Sequence, residues 1–226
     1  MTSIAAAPAV DQQRLTRVGL REHKRERTIR VIQDAALDLF IEKGFEATTV
    51  DEIAVRAEVS KATFFRYFAS KGDVVFGADG YWSDALRQCI LSRPPAEADV
   101  VAAARAIREN WLPMLDPARV ARQTRAVGTS SVLRGLCYDL AQRSQAAIAG
   151  ALAERRGLNR PDDRCQMIAA LVFAAFVRAV DCWVHEQQAR GAFGTEVDRA
   201  FGVLAAVATD LAETRPRDFT DAQKKN

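Results

Sequence analysis

Ser60, Lys61, Thr63, Arg66, Tyr67 and Lys71, all within twelve positions, are of the types that bond nucleic acid. Lysine and arginine neutralise phosphate, and hydroxyls bond either a phosphate oxygen or a base edge. On the short segment SKATFFRYF the small, hydroxyl and basic residues stand at the front and the aromatics behind. If that segment is a helix, its free N-terminal amides also favour phosphate. The same pattern fits a three-helix packing unit with a solvated basic face, because such geometry also occurs without DNA.

A reading segment needs elements that hold it at a fixed angle. Helix starts are marked by a side-chain oxygen that accepts from the first-turn amides, often with an acid three residues on that returns the bond. Thr49 with Glu52, Ser60, and Ser70 with Asp73 are three such starts within Thr48–Val75. Only Glu58-Val59 separates the first short helix from the second, so the two cross steeply. Upstream, Ile29, Ile32, Ala36, Leu39 and Phe40 recur at helical spacing, which predicts a helix from between Leu20 and Thr28 to Lys43. Gly44 stands where a left-handed cap is expected. That apolar stripe supplies the core the two short helices lack.

These residues carry a family resemblance. From Thr28 to Val75 the chain resembles the DNA-binding domain of TetR-type transcriptional repressors, through AALDLFIEKGFEATTV, IAVRAEVSKATFFRYF and SKGDVV. The resemblance implies that Thr49, Ser60, Lys61, Thr63, Tyr67 and Lys71 lie at the DNA surface and that Phe64 and Phe68 pack inward. Four positions depart from the usual pattern: Ala62 for Gly, Phe65 for Tyr, Ala69 for Pro and Gly72 for Glu. Ala62 and Phe65 remain candidate contacts, but Phe65 has no hydroxyl to offer phosphate.

The chain has 226 residues, 49% hydrophobic and 27% charged, enough for a small reader and a larger second core. Its net charge of +3 separates few functions, whereas the local charge is informative. Arg14, Arg17, Arg21, Lys24, Arg25, Arg27 and Arg30 face only Glu22 and Glu26, a local net of +5. Such a run fits an arm that follows phosphates or enters a minor groove, with Arg27 a candidate DNA contact, or a solvated helix face.

Past Ser70 every strong signal is helical. The expected spans are Ser70 to Leu91, Ala96 to Met114, Pro117 to Val127, Ser131 to Arg156, Pro161 to Ala189 and Thr195 to Thr214. The expected class is all-α: an N-terminal three-helix helix-turn-helix domain joined by a long helix to a C-terminal helical ligand-binding and dimerisation domain. The boundaries are a flexible basic tail over 1–20, the reader over 21–75 with its motif at about 48–68, the effector and dimer domain over 76–215, and a polar tail over 216–226.

Residues 168–177 are apolar all round, which requires cover on more than one side. The last helix pairs an apolar stripe with small residues on a second face. A two-fold four-helix bundle, with Leu171, Ala175, Phe201, Gly202 and Ala205 at the interface, satisfies both; the alternative is a core helix in a monomer. The family resemblance also implies pairing through the last helices, and a palindromic operator follows from it.

Trp82, Trp111, Leu115, Leu136, Phe173 and Phe176 are candidates to line an effector pocket. Arg178 could neutralise an acidic head group, bridge subunits or, most simply, pair with Asp181 at i,i+3. The wide apolar helices suggest a hydrophobic or amphipathic effector, and TFFRYF faintly resembles family members that sense fatty acyl-CoA or sit beside redox-cofactor operons.

Catalysis is not expected. His23 and His185 lack companions at metal-ligand spacing, and no phosphate loop, nucleophile elbow or paired cysteines occur, so neither metal nor cofactor is expected. Cys89, Cys137, Cys165 and Cys182 are widely spaced, as suits a reduced, cytoplasmic setting. No run approaches the roughly twenty apolar residues that span a bilayer. The competing reading is a helical interaction protein that binds acidic surfaces through Arg14–Arg30 without reading sequence.

Overall fold

The computed structural model describes residues 10–76, 80–185 and 192–213; for 10–22, 80–83, 111, 114, 211 and 212 only the backbone is described. The described residues are helical, without a strand, and the chain divides into two compact units, 1–78 and 79–226.

In the first unit, α1 (Val10–Lys43) packs against α2 (Val50–Arg56) and α4 (Asp73–Phe76), and α2 packs on α3 (Lys61–Tyr67). The centre is made by Ile32, Ala36, Leu37 and Phe40 from α1, with Ile53, Phe64, Val74 and Val75 closing around them. Gly44 stops α1 at φ +89°, its amide bonded to the Phe40 carbonyl, and Phe45 folds back to meet the Phe40 ring edge-on at 5.1 Å. Gln33, buried, donates to the Val74 carbonyl at 3.2 Å and ties α4 to α1.

One boundary differs from expectation. Helix α1 begins at Val10, so positions 10–20, expected as tail, are helical. Arginine is a good helix former, and a sequence with no cap to mark a start offers no sharp sign of where the helix begins.

The second unit holds α5 (Gly80–Leu91), α6 (Asp99–Arg105), α7 (Pro117–Thr129), α8 (Ser131–Arg155), α9 (Asp163–His185) and α10 (Phe193–Glu213). Helices α4 and α5 occupy the span expected as one long helix; residues 77–79 between them lie outside those described. The span expected to 114 continues from α6 as a π-helical stretch, Ala106–Trp111, and a short 3-10 turn. Ser130 closes α7 with its amide and opens α8 with its side chain, so α7 runs two residues past the expected end at Val127. Gly157 ends α8 at φ +67°.

Helix α9 is the centre of this unit, packed between α8 and α10, while α5 lies on α8. Its buried side carries Cys165, Ile168, Val172, Phe173, Phe176 and Trp183. By length and composition alone α9 could cross a membrane, which corrects the expectation that no run approaches that limit. The ten-residue apolar core is extended by Ala179, Val180, Cys182, Trp183 and Val184, with only Arg178 and Asp181 between. All four cysteines are free; burial raises the Cys89 and Cys137 thiols above the usual range, which makes them poorer nucleophiles.

Candidate nucleic-acid interface

The reader is built from three caps and an unusual turn. Thr49 Oγ1 accepts from the Glu52 amide at 3.3 Å, and Glu52 Oε2 accepts from the Thr49 amide at 2.9 Å, a reciprocal capping box at the start of α2. The Lys43 ammonium, bonded to the other Glu52 oxygen, is the largest cause holding that carboxyl down to about 2, followed by the Thr49 amide. Helix α2 ends in a Schellman motif: Val59 donates to the Ala54 carbonyl at 2.9 Å and Glu58 to Val55 at 3.1 Å. Glu58 takes the left-handed position at φ +54°, where glycine is usual.

That turn sets Ser60 at the head of α3. Ser60 Oγ accepts from the Thr63 amide at 3.0 Å, and the two hydroxyls lie 2.9 Å apart. Since two hydroxyls sharing one hydrogen bond retain one proton, the pair offers a single donor to an outside acceptor. Behind it Phe64 and Phe68 are buried with ring centroids 5.8 Å apart, and they fix the face of α3 that stays out. That face presents Lys61, Ala62, Phe65 and Arg66, with Thr63 and Tyr67 half-buried at its edge.

Each expected contact has a definite place. Thr49, Ser60, Lys61 and Ala62 are exposed, as is Arg27 on α1. Lys61 reaches Asp51 on α2 at 2.9 Å, so a phosphate must compete with that carboxylate. Tyr67 accepts from Arg66 Nη2 at 3.2 Å, and the guanidinium lies 4.8 Å from its ring centroid; the two present as one unit. Phe65, 49% exposed, has an apolar ring suited to a thymine methyl or a sugar.

Lys71 departs from the expected surface role. Its ammonium donates to the carbonyls of Phe45 at 2.7 Å, Thr48 at 2.8 Å and Glu46 at 3.3 Å, and sits 4.4 Å from the Phe45 ring centroid. All three protons are engaged in the loop between α1 and α2, so Lys71 is a staple of the reader. The sequence suggested a phosphate contact because a lysine just past a reading helix has the same composition in either role.

In the second unit, Phe173 and Phe176 stack in a row with Phe193 and Trp183, at centroid distances of 6.3, 6.3 and 5.0 Å. Leu115 and Leu136 are half-buried, while Trp82 on α5 and Trp111 on the π-helical stretch have side chains outside those described. Arg178 corrects the pocket expectation. It is exposed on the side of α9 away from the aromatic row. The same face carries Met167, Leu171, Ala174 and Val177, all exposed. On α10, Gly202, Val203, Ala205, Ala206 and Val207 are exposed, whereas Phe201 turns partly onto the unit's own core and Ala175 on α9 is half-buried. Among the described residues no group of three His, Cys, Asp or Glu could hold a metal.

Comparison with known proteins agrees with this geometry. Residues 32–78 match the family described as bacterial regulatory proteins, tetR family, and residues 126–209 match the MftR C-terminal domain. The HTH-type transcriptional regulator TcmR of Streptomyces glaucescens is 31% identical over 169 residues, covering 72% of this chain and 75% of TcmR. MftR of Mycobacterium tuberculosis, which carries the name of a mycofactocin biosynthesis transcriptional regulator, is 27% identical over 76% of this chain and 86% of its own. Among solved structures, the SmeT–triclosan complex superposes with a TM-score of 0.56 at 16% identity, over 80% of this chain and 90% of that one. A TetR-family regulator from Mesorhizobium loti gives 0.51 at 21%, over 80% and 96%. The chain belongs to the TetR family of DNA-binding transcriptional regulators and is not an enzyme.

Proposed function

We propose that the chain is a homodimeric repressor that leaves a palindromic operator when a hydrophobic or amphipathic effector, of the acyl-CoA kind, enters the second unit. The observation that carries the reading is the division of α3: Phe64 and Phe68 are buried, and the opposite face offers Lys61, Ala62, Phe65 and the Arg66–Tyr67 pair. Ser60 and Thr63 supply the shared hydroxyl donor, and Thr49 at the start of α2 is placed to bond phosphate. The exposed apolar faces of α9 and α10 support pairing, with Leu171, Gly202 and Ala205 near its centre. Arg178 and Asp181 are then candidates to bridge subunits, since both are exposed on that side. Two copies of α3 would address half-sites about one DNA turn apart, roughly 34–36 Å, or a little more.

Release requires a movement that changes this spacing. Because Val74 and Val75 are fully buried and Val74 accepts from Gln33, α4 travels with the reader when the chain beyond it shifts. The effector must bind the non-binding arrangement more tightly, since equal affinity for both would shift nothing. The match to the MftR C-terminal domain over 126–209 supports an effector role for the second unit. A cytoplasmic location, where such an operator lies, belongs to the same proposal.

The test is affinity against salt for duplexes from the upstream region of the adjacent gene and for scrambled sequences of the same length. A palindromic segment is expected to bind at least a thousandfold more tightly at physiological salt. Equal affinity for both would favour the competing reading, a helical protein that binds acidic surfaces without reading sequence. With the operator in hand, acyl-CoA added to the complex is expected to release it.

A further inference from the structure

The N-terminal half of α1 stands ahead of the packed reader. Among the residues whose side chains are described, Ile32 is the first that is fully buried, and the 22 positions from Val10 to Val31 precede it, roughly 33 Å at the helical rise. Lys24, Arg25, Arg27 and Arg30 are exposed. At about 100° per residue, positions 14, 17, 21, 24 and 25, all cationic, fall within an arc of about 100°, and Glu22 and Glu26 fall off it. The same arc continues down the helix into Ala35 and Leu39, which are buried. One side of α1 is therefore covered by apolar packing in its second half and is cationic in its first half.

A helix excludes one mode of contact. With side chains it is about 10–12 Å across, and the minor groove is about 6 Å wide, so a helical Arg14–Arg30 run cannot enter that groove as an arm. A cationic stripe of this length matches a row of phosphates, which carry one charge per roughly 1.7 Å of duplex. We infer that the cationic stripe of α1 lies along the phosphates that flank each half-site, a second DNA contact that holds without reading sequence. The inference rests on the DNA-binding reading above.

The test uses the full chain, its R14Q/R17Q/R21Q variant and R14K/R17K/R21K; glutamine and lysine both keep good helix propensity. Affinities are measured against salt on a selected palindrome that ends at its half-sites, on the same palindrome with ten further base pairs each side, and on a scrambled duplex. The parent is expected to bind the extended duplex more tightly, and the glutamine variant to lose that gain. Its log–log salt slope should become shallower by about 0.9 for each phosphate contact removed, on the extended palindrome and the scrambled duplex alike. The lysine variant should keep the parent's slope. Unchanged slopes in the glutamine variant, loss in the lysine variant, or a dependence on A·T against G·C flanks would each overturn the inference. If the parent fails to distinguish palindrome from scrambled duplex, the repressor reading falls, while the slopes on scrambled DNA still decide the role of α1.

Discussion

Replacing Lys71 with methionine separates a structural role from a DNA contact. The substitution keeps an apolar stem against the Phe45 ring and removes the ammonium that bonds the carbonyls of Phe45, Thr48 and Glu46 at 2.7, 2.8 and 3.3 Å. Hydrogen bonds to a charged group contribute about 1.5–3 kcal/mol each. Lys71 is half-exposed, so water replaces part of what is lost, and the 3.3 Å bond is the weakest; a total of about 2–3 kcal/mol is expected. For a unit of this size each kcal/mol moves the midpoint by about 4–8 °C, so Lys71→Met should lower melting of the reader by roughly 10–20 °C. The assay is thermal melting of the full chain by far-ultraviolet circular dichroism, paired with the salt dependence of DNA binding below the melting range. Unchanged melting together with a salt slope shallower by about 0.9 would show that the ammonium serves phosphate, and would refute the assignment.

Three further outcomes are expected. Glu58→Gly should stabilise the reader by about 0.5–1 kcal/mol, because glycine takes the left-handed C′ position without the Cβ penalty; a loss on chemical denaturation would show that the Glu58 side chain matters more than its backbone. Glu52 has a carboxyl held down to about 2, so its contribution is complete above the ordinary carboxylate range near 4.5 and fades as pH falls toward 2. The stability gap between the parent and Glu52→Gln should therefore be constant at neutral pH and close in acid, and a gap that persists at pH 2 would contradict the Lys43–Glu52 ion pair as its source. Val207→Glu, on the exposed face of α10, should convert a dimer into monomers in sedimentation velocity and weaken operator binding more than a hundredfold, whereas an unchanged sedimentation coefficient would remove that face from the interface.

The starts at Thr49 and Ser60 were readable because capping is a local signal, carried by one side chain and the amides beside it. The inward places of Phe64 and Phe68 followed from the family resemblance. The turn at Glu58 was not readable as a left-handed cap, since its residue type gives no sign of positive φ and the closing bonds run to Ala54 and Val55. The role of Lys71 depends on carbonyls more than twenty positions away, beyond any local pattern. Arg178 illustrates the same limit: its spacing from Asp181 suits a pair, but both stand exposed on a face where solvent competes with that contact. Widening of the α6 continuation into a π-helix over Ala106–Trp111 has no periodic signature in so short a stretch.

The central claim is that α3 reads bases in two symmetric half-sites. Selection from a random duplex pool with the full chain, beside Thr63→Ala, tests it most directly. The parent is predicted to enrich a two-fold-symmetric sequence, and Thr63→Ala to change the preferred base at one symmetric pair of positions. A pool that gains no two-fold sequence, or that gives the same sequence with both proteins, would contradict the account.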